Sequence, residues 1–184
     1  MSLHAGVPGP DPRGEGPRRA DLGLAWGVRG SFLRYVVGSG GRAQVRRGAA
    51  STMSGEFYFP LVGVEYDEEG CVREARFGGE VEFTAHGGML RVVIGDPLLT
   101  VHGRAAVLSF VPSAGESTEE PIDVVDVVLE GAKADGAVQM WHEAATALTH
   151  TGAELFGWSY ATGEPMAALT VRVPAGRPSG REDE

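Results

Sequence analysis

Two short segments carry hydroxyl and imidazole groups at spacings that could serve an iron centre. In Trp26-Gly27-Val28-Arg29-Gly30-Ser31-Phe32-Leu33-Arg34-Tyr35-Val36, Ser31 and Tyr35 stand four apart, which puts both on one face of a helix. In Phe83-Thr84-Ala85-His86-Gly87-Gly88, His86 ends an alternating strand and is followed by two glycines. A phenolate is a hard, anionic oxygen donor that suits Fe(III), and tyrosine is one of the proximal ligands proteins use for haem iron. Free tyrosine has a pKa of about 10, so coordination at neutral pH draws on the ferric charge and on a donor that stabilises the phenolate. His86 is the candidate donor, and Gly87-Gly88 would let backbone or a flat ring approach closely. A third segment, Phe156-Gly157-Trp158-Ser159-Tyr160-Ala161-Thr162-Gly163, adds Tyr160.

Each of these residues also has an ordinary reading. A tyrosine on an amphipathic helix is commonly a core residue with its hydroxyl at the surface, a histidine at a strand end commonly faces water, and a helical serine commonly back-bonds or is solvated. Other motifs fail on chemistry. His142-Glu143-Ala144-Ala145-Thr146 resembles a zinc-protease helix, but Thr146 cannot supply the second imidazole and the alternation around Trp141 reads as strand. Gly38-Ser39-Gly40-Gly41 lacks the Gly-Lys-Ser/Thr ending of a phosphate loop, so it reads as a helix stop. No nucleophile elbow supports a Ser-His-Asp hydrolase. His102 and His150 have no partner at ligand spacing, although His102 could rival Tyr35 as an axial group.

These side chains need elements to hold them. Trp26, Leu33 and Val37 recur near helical spacing, predicting a first helix that the glycines after Val37 stop. From there, period-two alternation or short apolar runs predict strands at Phe57 to Tyr66, Val72 to Phe77, Val81 to Thr84, Leu90 to Ile94, Leu98 to Val101, Ala105 to Val111, Val124 to Leu129 and Val138 to Thr146. A second short helix is expected at Gly152 to Trp158 and a last strand at Leu169 to Val173. Turn residues such as Asp67-Glu68-Glu69-Gly70, Asp96-Pro97 and Asp135-Gly136 separate the runs, and Glu116 to Glu120 reads as an exposed acidic loop. No helix lies between successive strands as a parallel crossover requires. The fold class is therefore mainly β: an antiparallel two-sheet sandwich or partly open barrel with one or two short helices.

The 184 residues, 42% hydrophobic, suit one domain with a proper core. Residues 1–20 are rich in Pro, Gly and Arg and read as a disordered leader, 21–174 as the domain, and 175–184 as a disordered tail. A net charge of −9 argues against nucleic acid or an anionic membrane as partner, and no apolar run reaches the length of a membrane span. Cys71 is the only cysteine, so no intrachain disulfide can form. With no apolar signal-peptide core, the chain as given is expected in the cytoplasm, or outside the cell if an export signal has been trimmed from it.

Taken together, the three segments resemble the haem-transport-associated (HtaA-type) domain of actinobacterial haem-uptake proteins. The likeness runs roughly from Leu22 to Val173 and takes in Asp96-Pro97, Leu148-Thr149 and Gly152-Ala153. It implies that Tyr35 ligates the iron of ferric haem b and that His86 bonds the tyrosine. Ser31 would meet a propionate, Tyr160 would make a second propionate contact or a pocket contact, and Phe32 would wall the pocket. It further implies a protein that is not an enzyme and that holds haem for uptake, buffering or transfer. Its partners would be haem and a protein that donates or accepts haem, with a homodimer left open. The chain departs from the family pattern at Ala167-Ala168, where an Asp-Pro pair is usual, and at Ser159, where an aromatic usually precedes the tyrosine. The alternative is a small-ligand or protein-interaction β module that has lost haem binding. A haem-degrading enzyme would need a distal proton donor that the sequence does not offer.

Overall fold

The computed structural model describes residues 22–112 and 120–178. In chain order they form β1 (Gly23–Trp26), α1 (Gly30–Gly38), β2 (Arg42–Arg46), β3 (Ala50–Ser51), β4 (Phe57–Tyr66), β5 (Val72–Phe77), β6 (Glu80–Ala85), a 3-10 turn (His86–Gly88) and β7 (Leu90–His102). There follow β8 (Ala105–Val111), β9 (Ile122–Val128), β10 (Lys133–Asp135), β11 (Val138–Leu148), α2 (His150–Leu155) and β12 (Pro165–Pro174). The strands pair in the order β7-β5-β4-β1-β12-β11-β9-β8, and β8 returns to β7, closing an eight-stranded antiparallel barrel. On the flank, β6 pairs with β7 and β2 pairs with β6.

Closure depends on β7, which has more partners than a strand can normally take. Its first half, Leu90 to Gly95, pairs with β6; its second half pairs with β5 on one side and β8 on the other. The exchange happens at Asp96-Pro97. Pro97 has no N–H to give a ladder, and Asp96 takes a left-handed φ of 41°. Its N–H donates to the Gly79 carbonyl at 2.8 Å and its carboxylate accepts from the Gly79 N–H at 3.1 Å. The Asp-Pro pair thus bends one long strand where the sequence predicted two. That bend lets the sheet wrap shut into a barrel, so the sandwich arrangement is not what forms.

Alternation fills the interior. Leu24, Trp26, Phe59, Leu99, Leu108, Phe110, Leu169 and Val171 are fully buried, each large side chain contributing roughly 1.5–3 kcal/mol on burial. The Trp26 and Phe110 rings meet at 6.0 Å. Trp26 is therefore not on the first helix: it ends β1, opposite Phe57 and Leu169, with its indole N–H donating to the Ala167 carbonyl at 2.8 Å. Its spacing to Leu33 and Val37 was a coincidence of period, because the chain turns sharply between them at Val28, which is buried with a φ of 59°. β2 escaped the sequence reading because Arg42-Ala43-Gln44-Val45-Arg46 is a short edge strand whose apolar face holds only Ala43 and Val45, both exposed.

The acid-bearing face of β6 is buried too. Glu80 and Glu82 lie under Arg46, Arg47 and Arg91, whose guanidinium groups approach them at 2.9–3.7 Å. The opposite face of β6, with Val81 and Phe83, points to the core. The expected leader lies outside the described residues, as does the acidic loop before Glu120. Residues 175–178 lie along the barrel: the Ala175 N–H donates to Ala137 at 2.8 Å, and Gly176 packs so tightly on the Gly70 carbonyl that a Cβ there would collide.

Candidate functional site

The site begins with how α1 is pinned. Phe32 and Val36, four apart, are its buried residues. Phe32 sits edge-on between Phe83 of β6 (5.2 Å) and Phe156 at the end of α2 (5.1 Å), and Phe83 also meets Phe57 at 5.3 Å. Phe32 is thus 4% exposed and anchors the helix to the barrel. At the other end, Gly40 takes a φ of 71° and the Gly41 N–H donates to the Val36 carbonyl at 2.8 Å. A Cβ on Gly41 would overlap the Thr84 carbonyl and lie 2.9 Å from the Ala85 Cα. Only glycine lets the chain leave the helix this close to β6, and the closeness brings the last turn of α1 over the end of that strand.

There the Tyr35 Oη and His86 Nε2 are 2.6 Å apart, with their rings at 5.6 Å and 57°. Tyr35 is 49% exposed, and His86 is exposed. The hydrogen bond is short. His86 is held by strain: its φ is 51°, and Gly87 and Gly88 continue at 65° and 93°. Side chains at such φ cost on the order of 1–3 kcal/mol and persist only when the surroundings impose them. The β6–β7 hairpin, with Ala85 opposite Leu90, imposes it here.

One helical turn earlier on the same face lies a second polar group. The Ser31 Oγ and Tyr160 Oη are 3.3 Å apart. The Arg29 Nε–H donates to Ser31 Oγ at 2.9 Å, and its guanidinium stacks 4.5 Å over the Tyr160 ring. Arg29 also pairs with Glu164 at 2.7 Å and donates to the Pro165 carbonyl at 3.2 Å. The Ala161 N–H, bonded at 2.9 Å, and then Arg29 hold the Glu164 carboxyl below the usual carboxylate range. Beyond Tyr160, Trp158 is 55% exposed with a φ of 61°, its ring 5.0 Å from His150.

The fold thus brings Tyr35 to His86 and Ser31 to Tyr160, and buries Phe32 against Phe83 and Phe156. Arg29 and Glu164 were missed. Arg29 stands next to the first turn of the helix, but nothing local announces that its partner lies in the turn before β12. His102 stands at the other end of β7 from Leu90, which lies beside the His86 turn. An open depression of about 400 Å³ lined by Gly40, Gly41, Arg42, Thr84, Ala85, Gly87 and Gly88 adjoins the His86 turn.

Among the described residues no three His, Cys, Asp or Glu side chains gather as a bare metal ion requires. A metal carried in a macrocycle needs far less, since the ring supplies four nitrogens and the protein one axial donor. The donor set fits that case: one half-exposed phenol, an imidazole bonded to its oxygen, and a hydroxyl–guanidinium cluster a turn away for the ring's acidic substituents. No helix of the described residues is long and apolar enough to cross a membrane.

A closed antiparallel barrel bearing a helix-mounted phenol–imidazole pair on its flank defines a β-barrel module whose reactive groups face outward. The HtaA family model matches residues 21–172, and the chain belongs to that family. Similar solved structures are the C-terminal domain of HtaA from Corynebacterium glutamicum (TM-score 0.70, 22% identity, 85% of this chain and 97% of that one) and the N-terminal domain of the same protein (TM-score 0.67, 25% identity, 85% and 98%). A third is the heme binding protein HtaB from Corynebacterium glutamicum (TM-score 0.62, 21% identity, 83% and 91%). No curated protein matches the chain in sequence.

Proposed function

We propose that this protein holds ferric haem b through a Tyr35 phenolate, with His86 as hydrogen-bond partner of the ligating oxygen, for haem uptake, buffering or transfer. The observation that carries the reading is the 2.6 Å contact between Tyr35 Oη and His86 Nε2 on an exposed face. Membership of the HtaA family and the likeness to a heme binding protein support it. When bound, haem would supply an Fe(III) centre with an affinity for a hard, anionic oxygen donor.

The chain's own residues do the rest. His86 Nε2 is placed to take the phenol proton or to donate a hydrogen bond to the phenolate left behind. Phe32 and Gly41 fix the helix so that Tyr35 and His86 meet without further adjustment. Ser31 and Tyr160 offer hydroxyl groups to the propionates. A phenolate favours Fe(III) over Fe(II), so the site suits keeping the metal in one oxidation state, and the module carries haem without altering it. Titration with hemin, followed in the visible spectrum, is the test. One hemin per chain with a tyrosinate-type high-spin ferric spectrum is expected, and Tyr35→Phe should remove that spectrum. Wild-type binding with no tyrosinate signature, or an unchanged spectrum in Tyr35→Phe, refutes the ligand assignment.

A further inference from the structure

The cluster around Arg29 contains a carboxylate already seated where an acidic ligand group would be received. The guanidinium makes four contacts: Ser31 Oγ at 2.9 Å, the Pro165 carbonyl at 3.2 Å, the face of Tyr160 at 4.5 Å and Glu164 at 2.7 Å. Three of these fix its position and one satisfies its charge. The fixing begins upstream, because buried Val28 at φ 59° turns the chain so that Arg29 caps α1 in an extended conformation. Glu164 belongs to the turn before β12, where its other carboxylate oxygen accepts from the Ala161 N–H at 2.9 Å.

We propose that Arg29 is the charge-reading residue of the ligand site, and that Glu164 is an internal counter-ion which a ligand carboxylate replaces on binding. This rests on the reading of Ser31 and Tyr160 as propionate contacts and adds to it the group that carries charge. Two hydroxyl groups are neutral, whereas the chain carries a net charge of −9 and so opposes the approach of a dianionic porphyrin. A guanidinium offers forked donors matched to a carboxylate, and its stacking on Tyr160 keeps the fork oriented. The ion pair is easily exchanged: its side chains are 26% and 31% exposed, and pairs that wet contribute little. Glu164 keeps its turn through Ala161 after releasing Arg29, so exchange leaves no loop unsupported. The lowered pKa of Glu164 keeps this competitor charged at neutral pH.

The experiment measures dissociation constants of hemin and of hemin dimethyl ester, which lacks free carboxylates, for wild type, Arg29→Gln, Glu164→Gln and Tyr35→Phe. Thermal melts of each ligand-free protein check folding. Arg29→Gln should weaken hemin about 10-fold or more, in the range of lost charge-assisted contacts, and leave the ester within about 2-fold. Glu164→Gln should tighten hemin several-fold and leave the ester unchanged. Equal weakening of hemin and ester by Arg29→Gln would make Arg29 a structural cap and overturn the proposal, as would a Glu164→Gln protein that binds hemin no better than wild type. If wild type binds neither compound, the haem reading falls and takes the proposal with it. If wild type binds and Tyr35→Phe does not, indifference to Arg29→Gln overturns the proposal alone.

Discussion

The barrel wall and the flank that carries Tyr35 are built on opposite terms. In the wall, Trp26, Phe59, Leu108 and Phe110 are buried completely, and each strand is bonded on both sides. On the flank, α1 is anchored by two buried residues, Phe32 and Val36, while Tyr35, Val37, His86 and Met89 face solvent. The wall derives its stability from area removed from water; the flank derives its precision from a few short anchors on a wall that is already rigid. Function and stability are therefore separable here, because the polar groups of the flank bury little and the wall residues bury much.

Substitutions in the two regions should dissociate. Phe110→Ala is the largest: it should cost about 3–5 kcal/mol of unfolding free energy, measured by denaturant titration, while the fraction that stays folded still takes up hemin with the wild-type spectrum. Loss of the spectrum in folded Phe110→Ala would mean that wall and flank are one unit. Tyr35→Phe is the mirror image. Hemin affinity should fall by about 100-fold or more, or about 2.7 kcal/mol, with the melting temperature nearly unchanged, since the ring is half exposed. His86→Ala should follow at about 10- to 100-fold, the range usual for residues that support a metal ligand. Greater damage from His86→Ala than from Tyr35→Phe, with no tyrosinate band in wild type, would make His86 the axial ligand.

The smallest expected effect is acid sensitivity at Glu164. Its carboxyl is lowered in the folded state by the Ala161 N–H and by Arg29. Its contribution is thus complete above the ordinary carboxylate value of about 4.3 and disappears as pH falls through the lower, folded value. The melting-temperature gap between wild type and Glu164→Gln should be constant around neutrality and close in acid. A gap that widens in acid contradicts the sign.

Much of the fold was legible because it is written locally. Phe57–Tyr66, Val72–Phe77 and Ala105–Val111 begin and end where the alternation does, since their turns carry their own signals. Phe32 and Tyr35 were recognisable as residues of one helix, but which of them packs inward was not. Spacing places both on a helix, whereas only the rings of Phe83 and Phe156 decide which one is buried. The second strand was illegible for the reverse reason, its short apolar face of Ala43 and Val45 lying exposed at a sheet edge.

By itself, then, the sequence determined what depends on neighbours along the chain: the limits of strands such as Phe57–Tyr66, the helix stop at Gly40-Gly41, the shared face of Ser31 and Tyr35, and an antiparallel β fold. The tertiary structure decided what depends on distant partners. Closure of the barrel waited on β7 pairing with both β5 and β8. The joining of Tyr35 to His86, 51 residues away, depended on Gly41 admitting a close approach that no side chain allows. The pairing of Arg29 with Glu164 brought together two ordinary surface charges with no sequence signal in common. Alternation and turn chemistry act over a few residues, whereas a site assembled from a helix, a hairpin and a distant turn exists only after packing has fixed where each one ends.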